Sequence, residues 1–217
     1  MFIGHFGAGL SAKIIDPKPS LGTYFLAAQF IDLLWPVFLL FGLESVVIDP
    51  GNTAFTPLNF EYYPFSHSFI AVLTYGIIFG GVYFALKKNL RAAVILGLLV
   101  LSHWILDLIT HRPDLPIAFG DSVKVGFGLW NSILFSILFE GAIFVGGAYL
   151  YFKVTDAKNR KGSFGLWGLL IFVSLIYISN IFGPPPPSVE PIAYIGMAQW
   201  MIIAWAYWID KNRTVKG

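Results

Sequence analysis

Cysteine is missing from the chain altogether. That excludes a disulfide framework and any thiolate ligand, so a bound metal would have to be held by nitrogen and oxygen. Charge is scarce as well: Asp, Glu, Lys and Arg make up 12% of the 217 residues, against about 25% in an ordinary soluble domain. Residues 68–86, 162–189 and 191–209 carry none of the four. A run of about 18 or more uncharged apolar residues is what a bilayer crossing needs. The rest of the composition agrees, with 57% hydrophobic residues, a mean hydropathy of +0.72 and a net charge of only +2. These values exclude a nucleic-acid-binding module, a secreted disulfide scaffold and a disordered linker. They point to a single membrane domain, residues 1–217.

Six apolar segments can be drawn, at about 21–43, 68–86, 92–110, 129–152, 164–183 and 191–209, each near the ~20 residues that cross about 30 Å of hydrocarbon. The fold class expected is all-α, a polytopic transmembrane helical bundle. Segment 1–15 precedes the six. It has no polybasic start and no small-residue cleavage pattern, so it does not read as a signal peptide. It is either an inserted half-span, with Pro17 and Pro19 making the turn below it, or a helix on the membrane surface. Twelve of the fourteen Lys and Arg fall on one side of this topology, leaving Arg112 and Lys124 opposite. The positive-inside rule makes that side cytoplasmic, with the C-terminus inside, as in a bacterial-type inner membrane. The outer loops then hold Glu44, Asp49, Glu61, Asp114, Asp121, Glu190 and the Pro184–Pro187 run, which reads as a stiff polyproline II turn. Gly80-Gly81 and Gly146-Gly147 suit close helix packing.

Carboxylates inside a bilayer cost a few kcal/mol each and need a reason. Asp32, Asp107 and Glu140 lie within spans, and the four histidines, all in the first 111 residues, lie within or at the ends of apolar segments. The sharpest local pattern is Ser102-His103-Trp104-Ile105-Leu106-Asp107-Leu108-Ile109-Thr110-His111. His103 and Asp107 stand at i and i+4 on one helix face, with His111 one turn further. An imidazole and a carboxylate at that spacing can share a divalent cation; they also make an ordinary intrahelical hydrogen bond. Counting 1.5 Å per residue, an inserted first segment lifts His5 about 12 Å, toward Asp32 at about 16 Å and His103 at about 18 Å, while His67 starts the second span from the outer side. Inserted, these groups converge on the outer half of the bundle; laid on the surface, His5 is stranded.

Paired or cation-bound, such buried charges are tolerated. One or two cations would neutralise the carboxylates. For imidazole and carboxylate ligands Zn²⁺ is the first choice, with Mn²⁺ or Fe²⁺ behind it. Glu61 and Glu140 are candidates for a general base or a further ligand. Each also has a plainer reading, Glu61 as a solvated loop residue and Glu140 as a packing partner of Asn131. Arg112 could clamp an anionic substrate oxygen or anchor the interface. Gln29 could support a ligand or bond another helix. Ser66 and Ser68 flank His67 without a nucleophile-elbow pattern.

Gly4-His5-Phe6, His67-Ser68 at the head of a span and His103-x-x-x-Asp107 in the next together resemble the membrane-bound metal-dependent hydrolase family. Its familiar members are YdjM-like bacterial inner-membrane proteins, and its pattern is distantly similar to that of zinc-dependent phospholipase C. The resemblance covers about residues 1–115, with 125–210 as a three-span extension. It implies His5, Asp32, His67, His103 and Asp107 as metal-site residues. Where the family often carries Asp-x-Asp-His, this chain has Ile31-Asp32-Leu33-Leu34, with one carboxylate, so a two-metal site would need His111 or Glu61 in its place. The expected activity is hydrolysis of a lipid-borne or amphipathic ester, a phosphodiester first, by metal-bound hydroxide. Two other readings use the same residues, a metal-ion or proton transporter and a structural or partner-binding membrane protein.

Overall fold

The computed structural model describes residues 1–120 and 122–216. Asp121, one of the outer-loop acids, and Gly217 lie outside them. The chain is an all-α bundle with three small two-stranded antiparallel sheets at its ends. Five of its helices begin where the sequence supplies a side-chain cap. The side chains of Ser20, Ser68, Asn89, Ser132 and Asn159 each accept the backbone N–H three residues on, which satisfies one of the orphan donors of a first turn.

In chain order the helices are α1 (Ile3–Ile15), α2 (Leu21–Ala28), α3 (Phe30–Leu40), the short α4 (Pro64–His67), α5 (Phe69–Lys87) and α6 (Leu90–Thr110). They continue with α7 (Ile133–Val154), α8 (Arg160–Phe182), α9 (Val189–Met197) and α10 (Gln199–Lys211). Helices α5, α6, α7, α8 and the α9–α10 pair are each long and apolar enough to span a bilayer. The first expected span is broken: α2 and α3 meet at Gln29 with a bend of 54°. With that pair counted as one crossing, the six expected spans are all present.

Segment 1–15 is packed within the bundle, as a half-span would be. Gly7 lies against the backbone of Ile143 and Phe144, and Gly147 against the carbonyl of Gly7, so α1 and α7 meet backbone to backbone. Gly80 likewise faces the Ala93 carbonyl, whereas Gly81 and Gly146 border open space.

At the basic end, β5 (Thr155–Ala157) pairs with β6 (Arg213–Val215), and the buried Arg213 side chain donates to Thr155 and to the Gly162 carbonyl. At the opposite end, β1 (Ser45–Ile48) pairs with β2 (Leu58–Tyr62), and β3 (Leu115–Pro116) with β4 (Lys124–Val125). The apolar core has two parts. One joins α1, α7, α8 and α10 through Phe6, Leu10, Tyr151, Leu166 and Ile203; the other gathers Tyr24, Ile31, Val72, Leu96 and Trp104 from α2, α3, α5 and α6. His5, on α1, and His103 and Asp107, on α6, stand where the two parts meet.

Candidate metal centre

Helix α6 supplies the centre's spine. His103 and Asp107 project from one face, one turn apart, and both are 1% exposed. The imidazole and carboxylate touch, with His103 Nε2 at 3.2 Å from Asp107 Oδ2. Three other segments bring their groups to this face. The first turn of α3 contributes Asp32, whose Oδ1 lies 3.6 Å from His103 Nε2. The last residue of α4 is His67, with Nε2 at 3.5 Å from Asp32 Oδ1 and 3.9 Å from Asp107 Oδ2. Helix α1 places His5 on the other oxygen of Asp107, at 3.1 Å. The His5 and His103 rings stack with centroids 3.5 Å apart and planes 9° from parallel. The Met1 α-ammonium also donates to Asp107 Oδ1.

Five of the six residues expected to form a metal site are thus gathered in two overlapping triads that share His103. They are Asp32, His67 and His103, and His5, His103 and Asp107, each with its ligand atoms within 4.8 Å of one another. Either triad could hold a metal ion. The sixth, His111, caps the C-terminal end of α6, and its Nε2 is 4.0 Å from Asp107 Oδ1, at the edge of the group.

The far nitrogens of these rings decide what the near ones can do. His103 Nδ1 lies 2.7 Å from the Ala28 carbonyl, which can only accept, so Nδ1 carries the proton. The buried Nε2 then offers a lone pair toward two carboxylates and has no hydrogen-bond partner among the described residues. That arrangement is repulsive unless a proton or a cation lies between them. His67 Nδ1 is 2.7 Å from Ser66 Oγ, and His111 Nδ1 is 2.9 Å from Asp114 Oδ1. Three imidazoles therefore have Nδ1 tied to an oxygen and Nε2 turned inward, the usual support of a metal-binding histidine.

The spacings fit a small cation. Bonds of 2.0–2.1 Å in a tetrahedral site put neighbouring ligand atoms about 3.4 Å apart. The two contacts of Asp32 Oδ1, at 3.5 and 3.6 Å, are close to that. The parallel planes of His5 and His103 oppose their serving one ion together, because a ligand's lone pair lies in its ring plane. Asp32, His67 and His103 are thus the better-suited triad. The Asp32 side chain is 18% exposed while His67 and His103 are 6% and 1%, so the triad is reached past Asp32.

The remaining candidates take other places. Glu140 is fully buried and accepts the Phe2 backbone N–H at 2.9 Å, so its carboxylate caps the start of α1. Arg112 donates to Asp114 at 3.2 Å and to Asn59, which turns its charge toward the support of His111. Glu61 is exposed on β2 and makes no hydrogen bond or ion pair with the cluster; its carbonyl accepts Lys124 Nζ. Gln29 is fully buried at the α2–α3 break, and neither polar atom of its amide has a partner among the described residues.

Three residues that support the cluster have no such role assigned by the sequence. Glu44, just beyond α3, accepts both the backbone N–H and the hydroxyl of Ser66, at 2.7 and 2.6 Å. Ser66 is the link to His67, and Asp114 is the partner of His111. Burial pushes the Glu44 carboxyl up to about 7, against the opposing pull of its Ser66 hydrogen bonds. At Asp114 burial acts the same way, but the hydrogen bonds from His111, Tyr63 and Arg112 outweigh it and hold the carboxyl below its ordinary value. Ser66 beside His67 was the one legible signal. The apolar helices are those of a multi-pass membrane protein, and its buried His/Asp group could hold a metal ion. No family model matches the chain, and no curated protein or solved structure is similar enough to count as a relative.

Proposed function

We propose that this chain is an integral-membrane metal-dependent hydrolase of the YdjM-like type, with its C-terminus in the cytoplasm, acting on a lipid-borne or amphipathic phosphoester. The observation that carries the reading is His103 Nε2, a buried nitrogen facing Asp32 and Asp107 with its other nitrogen committed to Ala28. Asp32, His67 and His103 would hold one divalent cation, Zn²⁺ first among the choices. Bound there, the cation would supply Lewis acidity and lower the pKa of a water toward ~7. Three protein ligands leave a coordination position free, as catalytic sites do and closed structural sites do not. The chain's own residues do the rest. The Ala28 carbonyl, accepting from Nδ1, and His5, stacked on the ring, hold His103 in place. Asp32 stands at the approach, so a substrate oxygen would arrive on its side.

Metal analysis of purified protein is the direct test. About one equivalent is expected in the wild type and none in the His103→Ala, Asp32→Ala double variant. Equal content in the two would remove the reading. Release of phosphate or headgroup from mixed lipid micelles, abolished by a chelator and restored by Zn²⁺, would establish the activity.

A transporter is the second reading, and the break at Gln29 favours it, because discontinuous helices build many transport sites. Against it, Tyr24, Phe25, Leu10, Leu21 and Leu96 are fully buried between the cluster and the basic end. Metal flux into proteoliposomes without substrate turnover would establish transport instead.

A further inference from the structure

His67 reaches the cluster from α4, a single turn of four residues that by itself holds its shape poorly. Its ring is nevertheless fixed. Ser66 Oγ lies 2.7 Å from His67 Nδ1 and 2.6 Å from Glu44 Oε2, and Ser66 N lies 2.7 Å from Glu44 Oε1. All three residues are buried, at 4% or less exposure.

The proton order along this chain follows from the donors available. Above about pH 7 Glu44 is ionised and only accepts, so the Ser66 hydroxyl proton points to it. The hydroxyl oxygen is left as an acceptor toward His67, and His67 must carry its proton on Nδ1. Nε2, 3.5 Å from Asp32, is then the free lone pair. With the carboxylate replaced by an amide, whose N–H donates to Ser66, the hydroxyl would turn round and donate to Nδ1. The proton of His67 would move to Nε2 and close it to a cation.

We propose that Glu44, through Ser66, is a positioning residue that sets the tautomer and orientation of His67 for cation binding, an inference that rests on the metal-site reading above. The chain tells the two carboxylates apart by role: Asp32 meets the cation, and Glu44, two residues' contact away, decides whether His67 can. Supports of this kind are worth about 10–100-fold in metal affinity.

The test uses full-length protein in detergent, with Co²⁺ and Zn²⁺ as the probes. Cation affinity is measured by chelator competition for wild type, Glu44→Gln, Ser66→Ala and Ser66→Thr. Size-exclusion elution and circular dichroism report whether each is folded. The ¹⁵N shifts of labelled histidine in the wild type, without cation, report the tautomer directly. Expected are a loss of about 10–100-fold in Glu44→Gln and Ser66→Ala, near-wild-type affinity in Ser66→Thr, which keeps the hydroxyl, and an Nδ1–H signature for His67. Unchanged affinity in folded Glu44→Gln and Ser66→Ala, or an Nε2–H signature in the wild type, would overturn the proposal while leaving the site itself intact. If the wild type binds neither probe, the site reading fails, and this inference with it.

Discussion

At the scale of single residues, the histidine spacing on α6 carried most of the information. His103 and Asp107 at i and i+4 were readable because helical geometry leaves little freedom once the helix is granted. Asp32 and His67 were readable from cost, since a carboxylate or imidazole in an apolar run demands a partner. The supporting residues were not, and for a physical reason. Glu44, Ser66 and Asp114 lie in polar connections, where an acid or a serine is commonplace, and only the folded geometry brings them under the histidines. Glu140 shows the reverse case. Its buried charge was legible, but its task, accepting an N–H at the start of α1, depends on a helix contact no local pattern encodes.

Glu44 also gives a pH signature in the metal-free protein. Its carboxyl is raised by burial from 4.5 to about 7, so between those values the folded chain holds more protons than the unfolded one. The contribution is fully present below pH 4.5 and lost as pH rises through 7. Thermal melts in a chelator should therefore show stability falling across that window, by on the order of 2–3 kcal/mol. Glu44→Gln should flatten the slope; an unchanged slope would assign it to another group.

At the scale of elements, the spans were the most legible part, because an uncharged apolar run of about 20 residues is rarely anything but a bilayer crossing. The break in the first span was not. Pro36 is the visible helix breaker, yet α3 runs through it, and the chain bends at Gln29 instead. No Gly or Pro marks the bend. The α1–α7 contact makes a sharper prediction. A Cβ at Gly147 would meet the Gly7 carbonyl, whereas one at Gly146 meets nothing. Gly147→Val should lower stability by about 1–3 kcal/mol or more and weaken cation binding by displacing α1 with His5. Gly146→Ala should do neither. Melting temperature and chelator competition in parallel check both statements.

At the scale of the whole molecule, the two halves are joined at the site. Residues 1–115 supply the candidate ligand side chains, but α1 is docked on α7 through Gly7 and Gly147, and its first turn is capped by Glu140. A fragment ending at residue 115 is therefore expected to lose cation binding even where it inserts, and co-expression with residues 116–217 to restore it. Cation binding should also stabilise the whole chain. At a free concentration of about 100 times the dissociation constant the gain is about 2.7 kcal/mol, so a chelator should lower the melting temperature of the wild type. The same chelator should leave the His103→Ala, Asp32→Ala variant where it was.

The kink at position 29 divides labour in a way that straight helices would not allow. The carbonyl that orients His103 belongs to Ala28, just before the kink, and the carboxylate at the approach belongs to Asp32, just after it. Any tilt of α3 about this point would carry Asp32 with it and change its 3.6 Å spacing from His103, on which a shared cation would depend. The two oxygens that flank this imidazole, one a carbonyl and one a carboxylate, thus come from opposite sides of a single joint.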